Sequence, residues 1–181
     1  MVLDFHKLLT LKAFYMKLRL SIWLFAIFMV FSTKSFSQNN PQKTRILFVL
    51  DGSQSMYARW DNGSKMQIAT RLLREIVDSL SEVPNIELAL RAYGHQYSVS
   101  SDGRNCKDTK LEVPFSSTNH ENIKSTLRSI RPKGTTLIAY SLEQAANDFP
   151  ECSDCRNVII LITDGIEECD GDPCAVSLAL Q

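Results

Sequence analysis

The sequence predicts an α/β protein, a doubly wound and mostly parallel sheet with helices on both faces. Three observations lead there. Two segments, Ile46–Leu50 (ILFVL) and Val158–Ile162 (VIILI), are apolar at every position, as strands covered on both faces are. Between them strand-like and helix-like periodicities alternate, the pattern that builds a parallel sheet. Each apolar segment also runs into an aspartate turn, Asp51-Gly52 or Thr163-Asp164-Gly165. Sheets of this kind bind ligands at the carboxyl ends of their strands, where the strand order switches direction.

In chain order, residues 1–37 read as a secretory signal peptide. Lys7, Lys12, Lys17 and Arg19 precede the apolar run Leu20–Phe31, and Ser35-Phe36-Ser37 offers a small-x-small cleavage site. The run has 12 residues, short of the roughly 20 that a spanning helix needs. Met16 makes a more ordinary start than Met1, because it shortens the charged region; an uncleaved anchor is the competing reading. Residues 38–44 form a polar linker, and residues 45–181 form the domain. After the strand Ile46–Leu50, apolar positions recur from Met66 to Leu80 at three- and four-residue spacing, an amphipathic helix. Ile86–Ala92 alternates with Glu87 and Arg91, a strand with one more exposed face. Gly94–Lys110 is a long polar loop, with a short strand at Leu111–Pro114. Asn119 is placed to cap a helix striped by Ile123, Leu127 and Ile130. Pro132-Lys133-Gly134 breaks that helix and opens the next, which carries Leu137, Ile138, Leu142, Ala145, Ala146 and Phe149 inward. Val158–Ile162 is the second apolar strand, and a last helix starts near Pro173.

Charge and cysteines set further bounds. The whole chain is neutral, but residues 38–181 hold 15 basic against 19 acidic residues, about −4. A mildly acidic domain argues against nucleic acid and suits a cation site. All five cysteines (Cys106, Cys152, Cys155, Cys169, Cys174) follow the signal, and export makes disulfides their default fate. A zinc site on the last four is the weaker reading, since glycines of the knuckle type do not flank them. Cys152–Cys155 and Cys169–Cys174 are the local pairings, which leaves Cys106 over; Cys106 can instead bridge to one of the later four.

The chemistry centres on Asp51-Gly52-Ser53-Gln54-Ser55. One carboxylate and two hydroxyls on alternate residues of a turn can face a single point, and hard oxygen donors suit a hard divalent cation. With Lys133-Gly134-Thr135-Thr136-Leu137 and Leu161-Ile162-Thr163-Asp164-Gly165, this segment resembles the von Willebrand factor A (VWA) domain over residues 45–181. The resemblance implies a Rossmann-like VWA fold and a metal-ion-dependent adhesion site (MIDAS). In that site Ser53 and Ser55 hold Mg²⁺ or Mn²⁺ directly, Thr135 directly or through water, and Asp51 and Asp164 through water. The spacing from Gly134 favours Thr135 over Thr136. A cation so held can accept an acidic oxygen from a protein partner, which implies metal-dependent binding or adhesion and no catalysis.

Blander readings stand beside this one. Ser53 and Ser55 can be turn residues bonding local backbone. Glu167 and Glu168 either tune the site or are solvated, and His95 reads as structural. No Gly-x-Ser-x-Gly elbow or phosphate-binding loop occurs. Because the last helical stripe breaks off at Gln181, the sequence predicts an incomplete, truncated domain. The alternative function is the accessory part of a larger enzyme or transport assembly whose other domains lie beyond residue 181. Either reading places the protein outside the cytoplasm, in the periplasm, at the cell surface or secreted.

Overall fold

The structure is a computed structural model that describes residues 42–99 and 103–181. The expected signal peptide and most of the linker lie outside the described residues. β1 (Lys43–Asp51) pairs in parallel with β4 (Ile86–Tyr93) on one side and with β6 (Cys155–Ile162) on the other. β5 (Thr109–Ser116) adds antiparallel to β4, so the strand order is β5-β4-β1-β6. The chain leaves β1 in one direction and returns on its far side as β6, which puts the topological switch at the carboxyl ends of these two strands. A small hairpin, β2 (Arg59–Trp60) and β3 (Gly63–Ser64), precedes the first helix.

Alternation along β1 sorts its side chains onto two cores. Ile46, Phe48 and Leu50 join Leu88, Leu90 and Ala92 under α1 (Lys65–Leu80) and α2 (His120–Ser129), where Leu73, Val77, Ile123 and Leu127 are buried. Leu47 and Val49 join Ala89 and Tyr93 under α3 (Ile138–Asn147), with Leu137, Leu142 and Ala145. Phe48, buried to 0% exposure, belongs to the class whose full burial stabilises by about 1.5–3 kcal/mol. Ser64 starts α1 through a complete capping box with Gln67.

Three expectations are corrected. Asn119 stands at the start of α2 but does not cap it through its side chain; its Nδ2 donates to the carbonyls of Leu88 and Pro114, tying the helix to the sheet. Arg91 does not face solvent: it is buried and makes a two-pronged ion pair with Asp148 (2.6 and 2.7 Å) and a bond to Thr109 Oγ1. A charged residue can sit on an interior strand when its donors are matched in this way. β6 is covered only in part on each face: Val158 and Ile162 pack against the first core and Ile159 and Leu161 against the second. Among the described residues it pairs only with β1, none of its residues is fully buried, and Ile160 is 36% exposed. The last helix, α4 (Pro173–Ala179), starts at Pro173 as expected and has no fully buried residue.

Candidate metal centre

Asp51 ends β1 fully buried. Its Oδ1 accepts the Ser53 amide (2.7 Å) and its Oδ2 accepts the Thr163 hydroxyl (2.7 Å). Thr163 Oγ1 in turn accepts from the Tyr93 phenol at 3.1 Å. Burial first, and the nearby Asp51 charge second, push the Tyr93 phenol far above its ordinary range, so it serves only as a neutral donor. This chain fixes the carboxylate from behind and leaves the turn in front of it to the two serines.

Ser53 precedes a 3₁₀ turn, Gln54–Tyr57, yet its side chain does not cap that turn. Its hydroxyl lies instead 2.9 Å from that of Ser55, and the Ser55 hydroxyl donates to Asp164 Oδ1, also at 2.9 Å. The second oxygen of Asp164 accepts the Lys65 ammonium from the start of α1. Three oxygens from loops far apart in sequence therefore form a continuous row. The turn reading of Ser53 and Ser55 does not account for that row, because hydroxyls spent on local backbone would not point at one another.

The second loop is zipped to the first. Ser53 bridges Gly134, the Gln54 amide donates to Gly134 O (2.8 Å) and the Lys133 amide donates to Gly52 O (3.0 Å). Gly94, at φ +63°, lets this layer close: a Cβ there would stand 2.6 Å from the Thr135 carbonyl oxygen, inside any contact distance. Both threonines are buried, Thr136 beside Gly165 and Thr135 beside Gly94. A Cβ placed on Gly165 would meet Thr136 Oγ1 at 3.3 Å and Asp51 Oδ2 at 3.8 Å. Thr135, which the resemblance favoured, is buried, and its carbonyl packs over Gly94.

Two residues that sequence reading left undecided have definite partners. Glu168 Oε2 accepts the Thr136 amide and the Glu168 amide donates to Thr136 O, both at 2.9 Å. Glu167 accepts the Ala139 amide in the first turn of α3 and the Cys169 amide, both at 2.8 Å. Leu137, at the N-cap of α3, has no side-chain acceptor to offer, so the carboxylate supplies one. An uncapped helix, with two unassigned acids further along the chain, was the available signal. Lys65 was missed outright; nothing in its local sequence relates it to Asp164.

His95 lies beside this layer, with Nε2 2.8 Å from Glu112 Oε1 and a buried Nδ1 that has no partner among the described residues. Burial raises the Glu112 pKa, but bonds to His95 and Lys110 outweigh it and leave the carboxyl below its ordinary range. The cysteines pair as Cys106–Cys169 and Cys152–Cys155, with Cys174 free and exposed. The local Cys169–Cys174 pairing is thus corrected: the Cys174 amide is engaged by Asp172 at the start of α4, while Cys169 turns to the 103–108 loop.

The donor set, two hydroxyls and a carboxylate joined by hydrogen bonds, is of the hard-oxygen kind that a small cation takes. Oxygens on neighbouring corners of an octahedron with Mg–O bonds of about 2.0–2.1 Å stand about 2.9 Å apart, which is the spacing of the Ser53–Ser55 and Ser55–Asp164 pairs. No cluster of three or more His, Cys, Asp or Glu occurs among the described residues. Any such centre therefore rests on hydroxyls, with two carboxylates in support.

A doubly wound sheet with a hydroxyl-lined crevice at its switch point defines the class of this domain. Residues 46–167 match the von Willebrand factor type A domain model, and the chain belongs to that family. It is 29% identical over 147 residues to YwmD of Bacillus subtilis, a match covering 80% of this chain and 65% of that protein. BatB of Bacteroides thetaiotaomicron superposes with a TM-score of 0.61 at 26% identity, covering 76% of this chain and 60% of BatB. The von Willebrand domain of the type V pilus tip protein Mfa5 from Porphyromonas gingivalis shares the fold at a TM-score of 0.52 and 20% identity, over 70% of this chain and 39% of that one. The chain thus spans less than two thirds of the length of these relatives.

Proposed function

We propose that this domain is an exported, divalent-cation-dependent protein-binding module, with Ser53, Ser55 and Thr135 as hydroxyl donors and Asp51 and Asp164 as flanking carboxylates. The observation that carries the reading is the row of oxygens at octahedral spacing. Bound there, Mg²⁺ or Mn²⁺ would supply an electrophilic position for a carboxylate oxygen of a partner. The residues around it do the rest: Thr163 and Tyr93 hold Asp51 in place, and Lys65 neutralises part of the charge on Asp164. The reading is binding without turnover, since His95, the acid–base candidate nearest a strand end, is engaged by Glu112. Two disulfides support an oxidising compartment.

A second reading draws on the length of the relatives, which extend beyond the matched region. In it the same module is the accessory part of a larger enzyme or transport assembly, and the rim serves as its contact.

Thermal unfolding in EDTA against Mg²⁺ or Mn²⁺ tests the site. Cation at about 100 times its Kd adds about 2.7 kcal/mol, several degrees for a domain of this size. Ser53→Ala with Ser55→Ala removes that increment while leaving the melt cooperative. An identical melt with and without cation rejects the metal reading.

A further inference from the structure

We propose that Glu167 and Glu168, locked by the Cys106–Cys169 disulfide, are positioning residues for this site, and that reducing the disulfide lowers its affinity for a divalent cation. The inference rests on the metal reading above and concerns its control.

The segment from Gly165 to Cys169 joins Asp164 to the second loop, and apolar burial does not hold it: Ile166, in its middle, is 86% exposed. Polar contacts and one covalent bond hold it instead. Glu168 grips Thr136 from both sides, through its own amide and its carboxylate. Glu167 grips the start of α3 at Ala139 and the segment itself at Cys169. Cys169 is then tied to Cys106, 63 residues away in sequence, and Arg104 donates to the Glu168 carbonyl. The tethered loop is itself anchored, because Asp108 accepts the Gln96 and Tyr97 amides and its carbonyl accepts the Gly94 amide. Gly94 O in turn accepts the Gly134 amide at 2.7 Å. The disulfide therefore closes a ring running from the third loop, through the 103–108 loop and Gly94, to the second loop.

Opening that ring frees the strap. A dithiol reductant supplies two electrons and two protons. The Cys106–Cys169 bond breaks, each sulfur leaves as a thiol, and the dithiol becomes a disulfide. Three hydrogen bonds, linking Glu167 and Glu168 to Ala139 and Thr136, then have to hold the second loop and Asp164 in one register, and part-buried bonds of this kind open locally at small cost. Full affinity is thereby confined to the oxidised protein.

The experiment uses a Cys152→Ser, Cys155→Ser, Cys174→Ser background, in which Cys106–Cys169 is the sole disulfide. Hydrogen exchange is followed in the cation-free protein before and after reduction, and Mn²⁺ binding is measured by calorimetry in both states. Reduction is expected to speed exchange at Thr136, Ala139 and Cys169 at least tenfold, to leave β1 and β4 unchanged, and to weaken the Mn²⁺ Kd at least tenfold. In the oxidised protein Glu168→Ala should weaken Kd similarly, while Glu168→Gln, which keeps an acceptor for the Thr136 amide, should restore it. Equal exchange or equal Kd in the two redox states overturns the proposal, as does Glu168→Ala binding like the parent. If the oxidised protein binds no Mn²⁺ at all, the metal reading itself falls, and exchange at Thr136 alone decides whether the strap orders the second loop. Should the serine background not fold, reduction of the unmodified chain gives the same comparison. Cys155 begins β6 while Asp164 lies past its end, about 25 Å away at roughly 3.3 Å per residue.

Discussion

β1 and β6 look alike as sequences, ILFVL and VIILI, each leading into an aspartate turn, yet they live in different surroundings. β1 has a strand on each side and a helix layer on each face, and seven of its nine residues are buried. Among the described residues β6 pairs only with β1, and none of its eight residues is fully buried. An apolar run thus reports that a strand is suited to burial. What covers it is decided by its neighbours. The two aspartates inherit the difference: Asp51 is sealed behind Thr163 and Tyr93, whereas Asp164 is reached by a lysine from solvent.

The largest expected effect tests the strands themselves. Phe48→Ala in β1 should cost about 3–5 kcal/mol, whereas Ile160→Ala, already 36% exposed, should cost less than about 1.5 kcal/mol, because little apolar surface leaves water there. Urea midpoints measure both. Comparable losses would mean that β6 is fully covered in solution, which would erase the contrast.

The aspartates come next. Asp51→Ala strands the buried Ser53 amide and Thr163 hydroxyl, at about 1–3 kcal/mol. Asp164→Ala gives up a solvent-accessible lysine pair and a serine contact, and should cost under about 1 kcal/mol. Melts in EDTA separate these costs from cation binding, and both variants should lose the cation-induced increment. An Asp51 variant as stable as the parent would show that the turn is less sealed than its geometry implies.

Helix caps extend the comparison. Ser64→Ala should lower global stability by about 1 kcal/mol, since α1 is packed on the β1 core. Asp172 caps α4 by accepting the Cys174 and Ala175 amides, but only Val176 of α4 is half-buried against the second core, so Asp172→Ala should lower the global melt less than Ser64→Ala and raise exchange mainly within α4.

The smallest effect concerns the opposite edge, β5. The Glu112 carboxyl is held below its ordinary value, so it contributes stability above about pH 4.5, and that contribution is lost as pH falls through the lowered value. Glu112→Gln should flatten this part of the acid limb by lowering stability on the plateau above about pH 4.5, while leaving it unchanged well below that. An acid limb that the substitution leaves unaltered would remove the His95–Glu112 pair from the account.

Much of this was legible in the chain itself. Local periodicity determines that Ile46–Leu50 is a strand, that the stretch from Met66 to Leu80 is an amphipathic helix, and that Asp51, Ser53 and Ser55 share a turn, because each depends only on residues a few positions apart. Tertiary structure decided what depends on neighbours distant in sequence. It set the partial cover of β6, the burial of Arg91 against Asp148, the choice of Cys169 as the partner of Cys106, and the grip of Glu167 and Glu168 on the second loop. The physical reason is the same in each case: hydrogen bonds, ion pairs and burial are satisfied by whatever lies alongside, and sheet order alone determines what that is.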